Sequence, residues 1–218
     1  MNIGIFGDSF CSVKEVEGFL VYSTYIKKIE KHYDANIVSL GVNGSSIYDV
    51  ILLQFPETLE KFGYPDVCIF VWTSQHRIFH RKIRTLNLGS VFDLPPRDPD
   101  IWDAAKKYYN HLMDNELHEL QYKSVLAYFD NEVLSKFPKT TKIIHLWSFE
   151  TYKICSYRWK NGVEITPSMS YIADYGKDKP LSRSVFDNAL NHLSGEDKND
   201  TVFSWIKDAI DNYEEKIK

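Results

Sequence analysis

Apolar residues gather into four short, nearly unbroken runs: Asn2–Phe6, Asn36–Leu40, Asp66–Thr73 and Lys142–Trp147. Runs of this length, rich in isoleucine and valine and not alternating with polar residues, predict strands covered on both faces, as in a parallel sheet. Between them the apolar spacing changes to three and four. Phe19, Tyr22, Ile26, Ile29 and Tyr33 fall on one helix face. Ile47, Val50, Ile51 and Phe55 begin a second helix, with Ser45 or Ser46 available as its cap and Pro56 placed to kink or restart it. Val202, Trp205, Ile206, Ala209, Ile210 and Tyr213 draw the clearest amphipathic helix, with Asp200 or Thr201 as its expected cap. Strands alternating with helices predict a three-layer α/β/α sandwich around a mostly parallel, flavodoxin-like sheet with right-handed crossovers.

Two stretches exceed that plan. Residues 76–140 separate the third and fourth strands and are too long for one crossover. Within them Leu94–Pro99 reads as a loop and Ile101–Phe137 as one or two amphipathic helices, a helical insertion and candidate lid. Residues 155–180 form a second excursion, in which Asn161-Gly162 between short apolar runs predicts a β-hairpin. Both are expected to belong to one domain spanning residues 1–218, a length that suits a single core.

Composition narrows the function classes. Lys and Arg total 26 against 30 Asp and Glu, so the net charge of -4 is not that of a nucleic-acid coat. No apolar run approaches the roughly 20 residues needed to cross a bilayer. The start, MNIGIFGDSF, lacks a basic segment followed by a long apolar one, so a cytoplasmic protein with no membrane partner is expected. Cys11, Cys68 and Cys155 are odd in number and widely spaced, which fits reduced thiols.

The candidate chemistry lies where the strands end. Gly7-Asp8-Ser9 follows the first strand, Gly41–Ser46 the second, and Thr73-Ser74-Gln75-His76-Arg77 the third. If the strands are parallel, these loops share the carboxyl edge of the sheet, where ligands of open α/β sheets bind. Ser9 offers a hydroxyl at a strand-to-helix turn, or equally an ordinary helix cap. A glycine in the second loop offers a bare backbone N–H, or simply marks a turn. A serine nucleophile needs a general base. His192, just before the last helix and five residues after Asp187, is the best placed of the seven histidines. His145 lies in a strand and reads as a core residue, whereas His32, His111 and His118 read as solvated. Asp8 reads as a support for its turn.

These blocks resemble the SGNH (GDSL) hydrolase superfamily. Gly7-Asp8-Ser9-Phe10 matches its first block, Gly44 within Val-Asn-Gly-Ser-Ser its second, and His192 before an amphipathic helix its fourth. The third block departs: where the family usually has an asparagine, this chain has Thr73-Ser74-Gln75-His76. Gln75 can supply the amide from a longer arm, or Ser74 or Thr73 can stand in. The fourth departs too, with Ala189 where the acid is expected, leaving Asp187 shifted or a Ser–His pair alone. The resemblance implies attack by Ser9 on an ester carbonyl, with His192 as base and Asp187 orienting it. The N–H groups of Ser9 and Gly44 and the Gln75 amide would form the oxyanion hole. Asn43, Ser74, His76 and Arg77 are the substrate-binding candidates. No cofactor or metal is implied.

Competing readings are weaker. Cys11 lacks a cationic neighbour that would make it reactive. His76 and His80, four apart, lack the glutamate of a zinc protease and have cationic neighbours. If the run His76–Arg84 lines the crevice, the substrate would be anionic. The expected function is a serine esterase acting on a small-molecule or carbohydrate ester, with O-acetyl groups on a carbohydrate as the leading guess, helped by Tyr157, Trp159 and Tyr171 near the rim. A non-catalytic binding module on the same fold and an acyltransferase are the alternatives. The sequence sets no oligomeric state.

Overall fold

The computed structural model describes residues 1–16, 19–93, 95–149, 157–172, 193 and 196–217. In chain order, β1 (Asn2–Phe6) leads into a single 3-10 turn (Ser9–Cys11), then β2 (Lys14–Val16), β3 (Phe19–Tyr22), α1 (Tyr25–Tyr33) and β4 (Asn36–Ser39). A helical stretch follows: α2 (Ile47–Asp49), a π turn (Val50–Gln54) and α3 (Phe55–Phe62), ahead of β5 (Val67–Trp72). The insertion comprises β6 (Ile78–His80), β7 (Arg84–Leu86), α4 (Leu88–Asp93), α5 (Pro99–His111) and α6 (Asn115–Tyr128), continued by a π turn (Phe129–Val133) and a 3-10 turn (Leu134–Lys136). Then come β8 (Lys142–Trp147), β9 (Val163–Glu164), α7 (Met169–Ile172), α8 (Glu196–Asp211) and α9 (Tyr213–Lys216).

Five strands form one sheet in the order β4-β1-β5-β8-β9, every neighbouring pair parallel. Renumbered within the sheet this is 2-1-3-4-5, the doubly wound order whose switch point lies between β1 and β5. Alternate side chains serve the two faces, as strand geometry requires. Ile3, Ile5, Val67, Ile69, Val71 and Ile144 pack with α1 and α8, while Phe6, Cys68, Phe70, Trp72 and Ile143 pack with α2, α3 and α6. The central strand β5 is buried at all six positions, which explains its unbroken apolar sequence. The expected three-layer α/β/α architecture is the observed one.

Several elements differ from the expectation. The helix predicted through Phe19 and Tyr22 begins only at Tyr25; those two residues lie on β3, paired antiparallel with β2. The chain re-enters a helix through Ser23, whose φ is +56°. The insertion is helical as expected but opens with the antiparallel pair β6–β7. Asn161-Gly162 delivers the chain into β9, which pairs parallel with β8, so the pair does not join two antiparallel strands. The last helix starts at Glu196, upstream of both expected caps. Before Pro56 the helix loosens into the π turn, where the Phe55 N–H reaches back to the Val50 carbonyl. A proline has no N–H for the carbonyl four residues back and its ring crowds it, so a widened turn ahead of Pro56 relieves both. Among the described residues, no helix is long and apolar enough to cross a membrane.

Candidate functional site

The loop after β1 is organised by Asp8, which is fully buried. Its Oδ1 accepts hydrogen bonds from the Phe10 N–H at 3.1 Å and the Ser148 hydroxyl at 2.9 Å. Its Oδ2 accepts from the Thr73 hydroxyl at 2.7 Å and pairs with the Arg77 guanidinium at 3.1 Å. Thr73 follows β5 and Ser148 follows β8, so one carboxylate ties together three strand ends on the carboxyl edge. Asp8 is the expected support for its turn. Its neighbour Ser9 is half-buried at the start of the 3-10 turn. Among the described residues no side chain hydrogen-bonds Ser9 Oγ.

The second loop interlocks with the first. Val42 N–H donates to the Gly7 carbonyl at 3.0 Å and Gly41 N–H to the Cys11 carbonyl at 2.9 Å. Gly41 is obligatory by space: a Cβ there would overlap Cys11 Sγ and lie 2.6 Å from the Asp8 carbonyl oxygen. Ser12 Oγ bonds the Asn43 side-chain oxygen and lies 3.4 Å from the Ser9 carbonyl, which draws Asn43 and Gly44 beside the Ser9 turn. Gly44 has φ +75°, and the nearest atom to a Cβ built there is 4.0 Å away. Its glycine therefore answers to backbone conformation, and its flank is open. Burial and the nearby Asp8 charge hold the Cys11 thiol well above its ordinary pKa, the opposite of a reactive thiolate.

Behind these loops lies a buried polar web. Gln54, on the π turn, brackets Gly7 as a neighbouring strand would: its Oε1 accepts from Gly7 N–H and its Nε2 donates to the Gly7 carbonyl, both at 3.0 Å. The same Nε2 reaches Ser45 Oγ and Asp49 Oδ2. Ser46 caps the helix by accepting from Asp49 N–H at 3.2 Å, one of the two expected caps.

The third loop is less exposed than its polar sequence implies. Gln75 is buried, with Nε2 3.3 Å from His76 Nε2 and no described partner for Oε1. His118 faces it: Nδ1 lies 3.3 Å from the Gln75 carbonyl and Nε2 meets the Tyr108 hydroxyl. A carbonyl only accepts, so His118 donates from Nδ1 to it, while Nε2 hydrogen-bonds the tyrosine hydroxyl. His118 is thus a buried, hydrogen-bonded residue and not the solvated one expected. Its face of α6 packs on the loop, where the Tyr122 hydroxyl also bonds the Thr73 carbonyl. His76, with Nδ1 unpartnered among the described residues, has its pKa lowered by burial and by His118. Ser74 Oγ accepts from His76 N–H at 3.3 Å.

The cationic run is largely neutralised from within. Arg77 pairs with Asp8 and Arg84 Nε with Asp49 Oδ1 at 2.8 Å, while Lys82 pairs with Asp98. Among the described residues this leaves Arg81 as the cation of the run without a carboxylate partner.

Of the expected site residues, the structure brings Ser9, Asn43, Gly44, Ser74, Gln75, His76 and Arg77 to the carboxyl edge. Asp187 and His192 lie outside the described residues. Sequence reasoning missed Ser148, Gln54, Asp49 and Ser12 as supports. Ser148 had a readable signal, since it directly follows the fourth strand; Gln54 had none. Among the described residues, a recess of about 180 Å³ lies between the end of β4 and α3, with Val42, Gln54 and Arg84 also on its wall.

No protein-family profile matches the chain, and no curated protein matches it in sequence. Among solved structures the chain is similar to an acetyl xylan esterase, with 16% identity and a TM-score of 0.35, covering 98% of this chain and 74% of that one. What carries the fold is the strand order and pairing of this chain: a doubly wound, parallel α/β sheet whose switch point holds Gly7-Asp8-Ser9.

Proposed function

We propose that the protein is a serine ester hydrolase of the SGNH type, with Ser9 as nucleophile and His192 as general base. The observation that supports this best is the interlock of the first two loops. Through Ser12 and Asn43 it sets the open Gly44 turn beside the half-exposed Ser9 at the switch point of the sheet. In the reaction, Ser9 Oγ attacks the ester carbonyl while its proton passes to His192. The oxyanion is held by the backbone N–H groups of Ser9 and Gly44, with the Gln75 amide as a third donor. Collapse of the tetrahedral intermediate expels the alcohol, which takes the proton from His192, and water then repeats the sequence on the acyl-enzyme. Asp187 orients the imidazole. The substrate is a small acyl ester, an O-acetylated carbohydrate being the class proposed.

The decisive measurement is hydrolysis of p-nitrophenyl acetate by the full chain and by Ser9→Ala and His192→Ala. Each substitution is expected to lower kcat by at least about a thousandfold. Equal turnover in the wild type and Ser9→Ala would overturn the reading. Gln75→Ala separates a hole of three donors from one of two: loss of a working donor is expected to cost about 100-fold or more. An unchanged rate would give the hole to Ser9 and Gly44 alone. A binding module without chemistry is the second reading, favoured by the Gln75 amide packing against His76. It would appear as saturable binding of an acetylated oligosaccharide with no Ser9-dependent turnover.

A further inference from the structure

Arg77 is the one side chain described at this edge that meets the loops of four strands. It belongs to the loop after β5. Its guanidinium pairs with Asp8 in the loop after β1, donates to the Ser45 carbonyl in the loop after β4, and lies 5.6 Å from the centre of the Phe149 ring after β8. Phe149 in turn stands edge-on to Phe10, one residue past Ser9, at 5.3 Å. The Arg77 side chain is 10% exposed and that of Asp8 is fully buried, so the pair is shielded from solvent and salt.

We infer that Arg77 is a positioning residue, whose planar fork joins the Ser9 loop to the Gly44–Ser45 loop and sets the distance between nucleophile and oxyanion donors. This rests on the esterase reading for its catalytic consequence, although the joining of the loops does not. A buried ion pair is weak evidence for stability, because a well-packed apolar pair of similar volume does as well. What it supplies is direction. A guanidinium holds two acceptors at fixed angles in one plane, whereas a lysine ammonium is a single mobile point. The two acceptors are the carboxylate next to the nucleophile and the carbonyl next to the glycine turn. A shift of one relative to the other misaligns attack and oxyanion together. Arg77 therefore acts through Asp8 and Ser45 and is not a ligand for an anionic substrate.

The test compares wild type, Arg77→Lys and Arg77→Met as full chains, on p-nitrophenyl acetate and on an anionic p-nitrophenyl hemisuccinate. Arg77→Met is expected to lower kcat on the order of 100-fold for both esters, with KM within about threefold and partial recovery in Arg77→Lys. Amide exchange should quicken in 7–12 and 41–49 together, while β5 and α8 keep their protection. Because Arg77→Met leaves Asp8 buried and unpaired, Asp8→Asn/Arg77→Met is measured beside it. That double variant should regain thermal stability without regaining kcat or slow loop exchange. A KM rise confined to the anionic ester would overturn the assignment, as would exchange that quickens in only one of the two loops. Wild-type kcat in the double variant would do the same. If wild type shows no Ser9-dependent turnover, the esterase reading falls, and the exchange pattern alone decides whether Arg77 joins the loops.

Discussion

At the scale of single residues, His145 shows how surroundings fix a protonation state. Trp72 Nε1 donates to its Nδ1 at 3.1 Å, so Nε2 carries the proton and donates to the Asn161 carbonyl at 2.9 Å. Trp159 stacks on the ring at 3.7 Å. Burial pushes the imidazole pKa down to about 4. A histidine whose folded pKa lies below its unfolded value near 6.5 stabilises the fold fully above the higher value, and that contribution fades as pH falls toward the lower one. Thermal melts should be flat from pH 8 to about 6.5 and then drop, with roughly 3 kcal/mol lost by pH 4. His145→Gln should flatten that particular slope, and an equally steep fall in the variant would assign it to other groups. A second residue invites improvement. Asp34 ends α1 in the left-handed region, with φ +46° and ψ +48°, and places a carboxylate at the negative end of the helix. Asp34→Gly is expected to raise stability by about 1 kcal/mol in urea titration. The core role of His145 was legible because it sits in an unbroken apolar run. Those of His118 and Arg77 were not, because Gln75 for the one and Asp8 and Ser45 for the other lie dozens of residues away and leave no local pattern.

At the scale of elements, the π turns do more than bend helices. The turn at 129–133 carries Asp130, fully buried, whose carboxylate accepts from the Tyr157 hydroxyl at 2.7 Å and from the N–H groups of Lys160 and Asn161 at 2.8 and 3.1 Å. Asn161 Nδ2 adds a further bond at 2.8 Å. This one side chain shapes the loop that leads into β9. Asp130→Ala would strand those donors, and a cost of about 3 kcal/mol is expected, with accelerated amide exchange at 157–164 ahead of global unfolding. Exchange that stays slow there would mean the loop is held by Trp159 stacking and the His145–Asn161 hydrogen bond instead. The four long strands were readable because burial on both faces erases polar positions. Two-residue β9 was not, since its parallel pairing is set by Asp130 and by Ile144 and His145 of β8, far away in sequence. Nor was β3 readable, for Phe19 and Tyr22 repeat at a spacing that also suits a helix, and the choice is made by pairing with β2.

At the scale of the molecule, the insertion carries its own apolar nucleus, with Leu86, Val91, Trp102, Ala105 and Tyr109 clustered apart from the cores on the two sheet faces. Its β6–α5 part is fastened to the site by Tyr109 to the His76 carbonyl, Ser46 N–H to Thr85, and Asp49 to Arg84, while α6 adds His118 at the Gln75 carbonyl and Tyr122 at the Thr73 carbonyl. Trp102→Ala is expected to loosen 78–111 by about 3 kcal/mol or more while β5 and β8 stay protected. Uniform loss of protection would instead make insertion and sheet one cooperative unit. The same sheet also has unequal margins. One ends in two residues, the other in the four of β4, whose outer backbone groups pair with no described strand. An extended chain arriving from another molecule therefore finds a usable ladder on one side only. In concentrated solution turbidity should begin there: a lysine in place of Val38 is expected to delay it, and one in place of Glu164 to leave its onset unmoved.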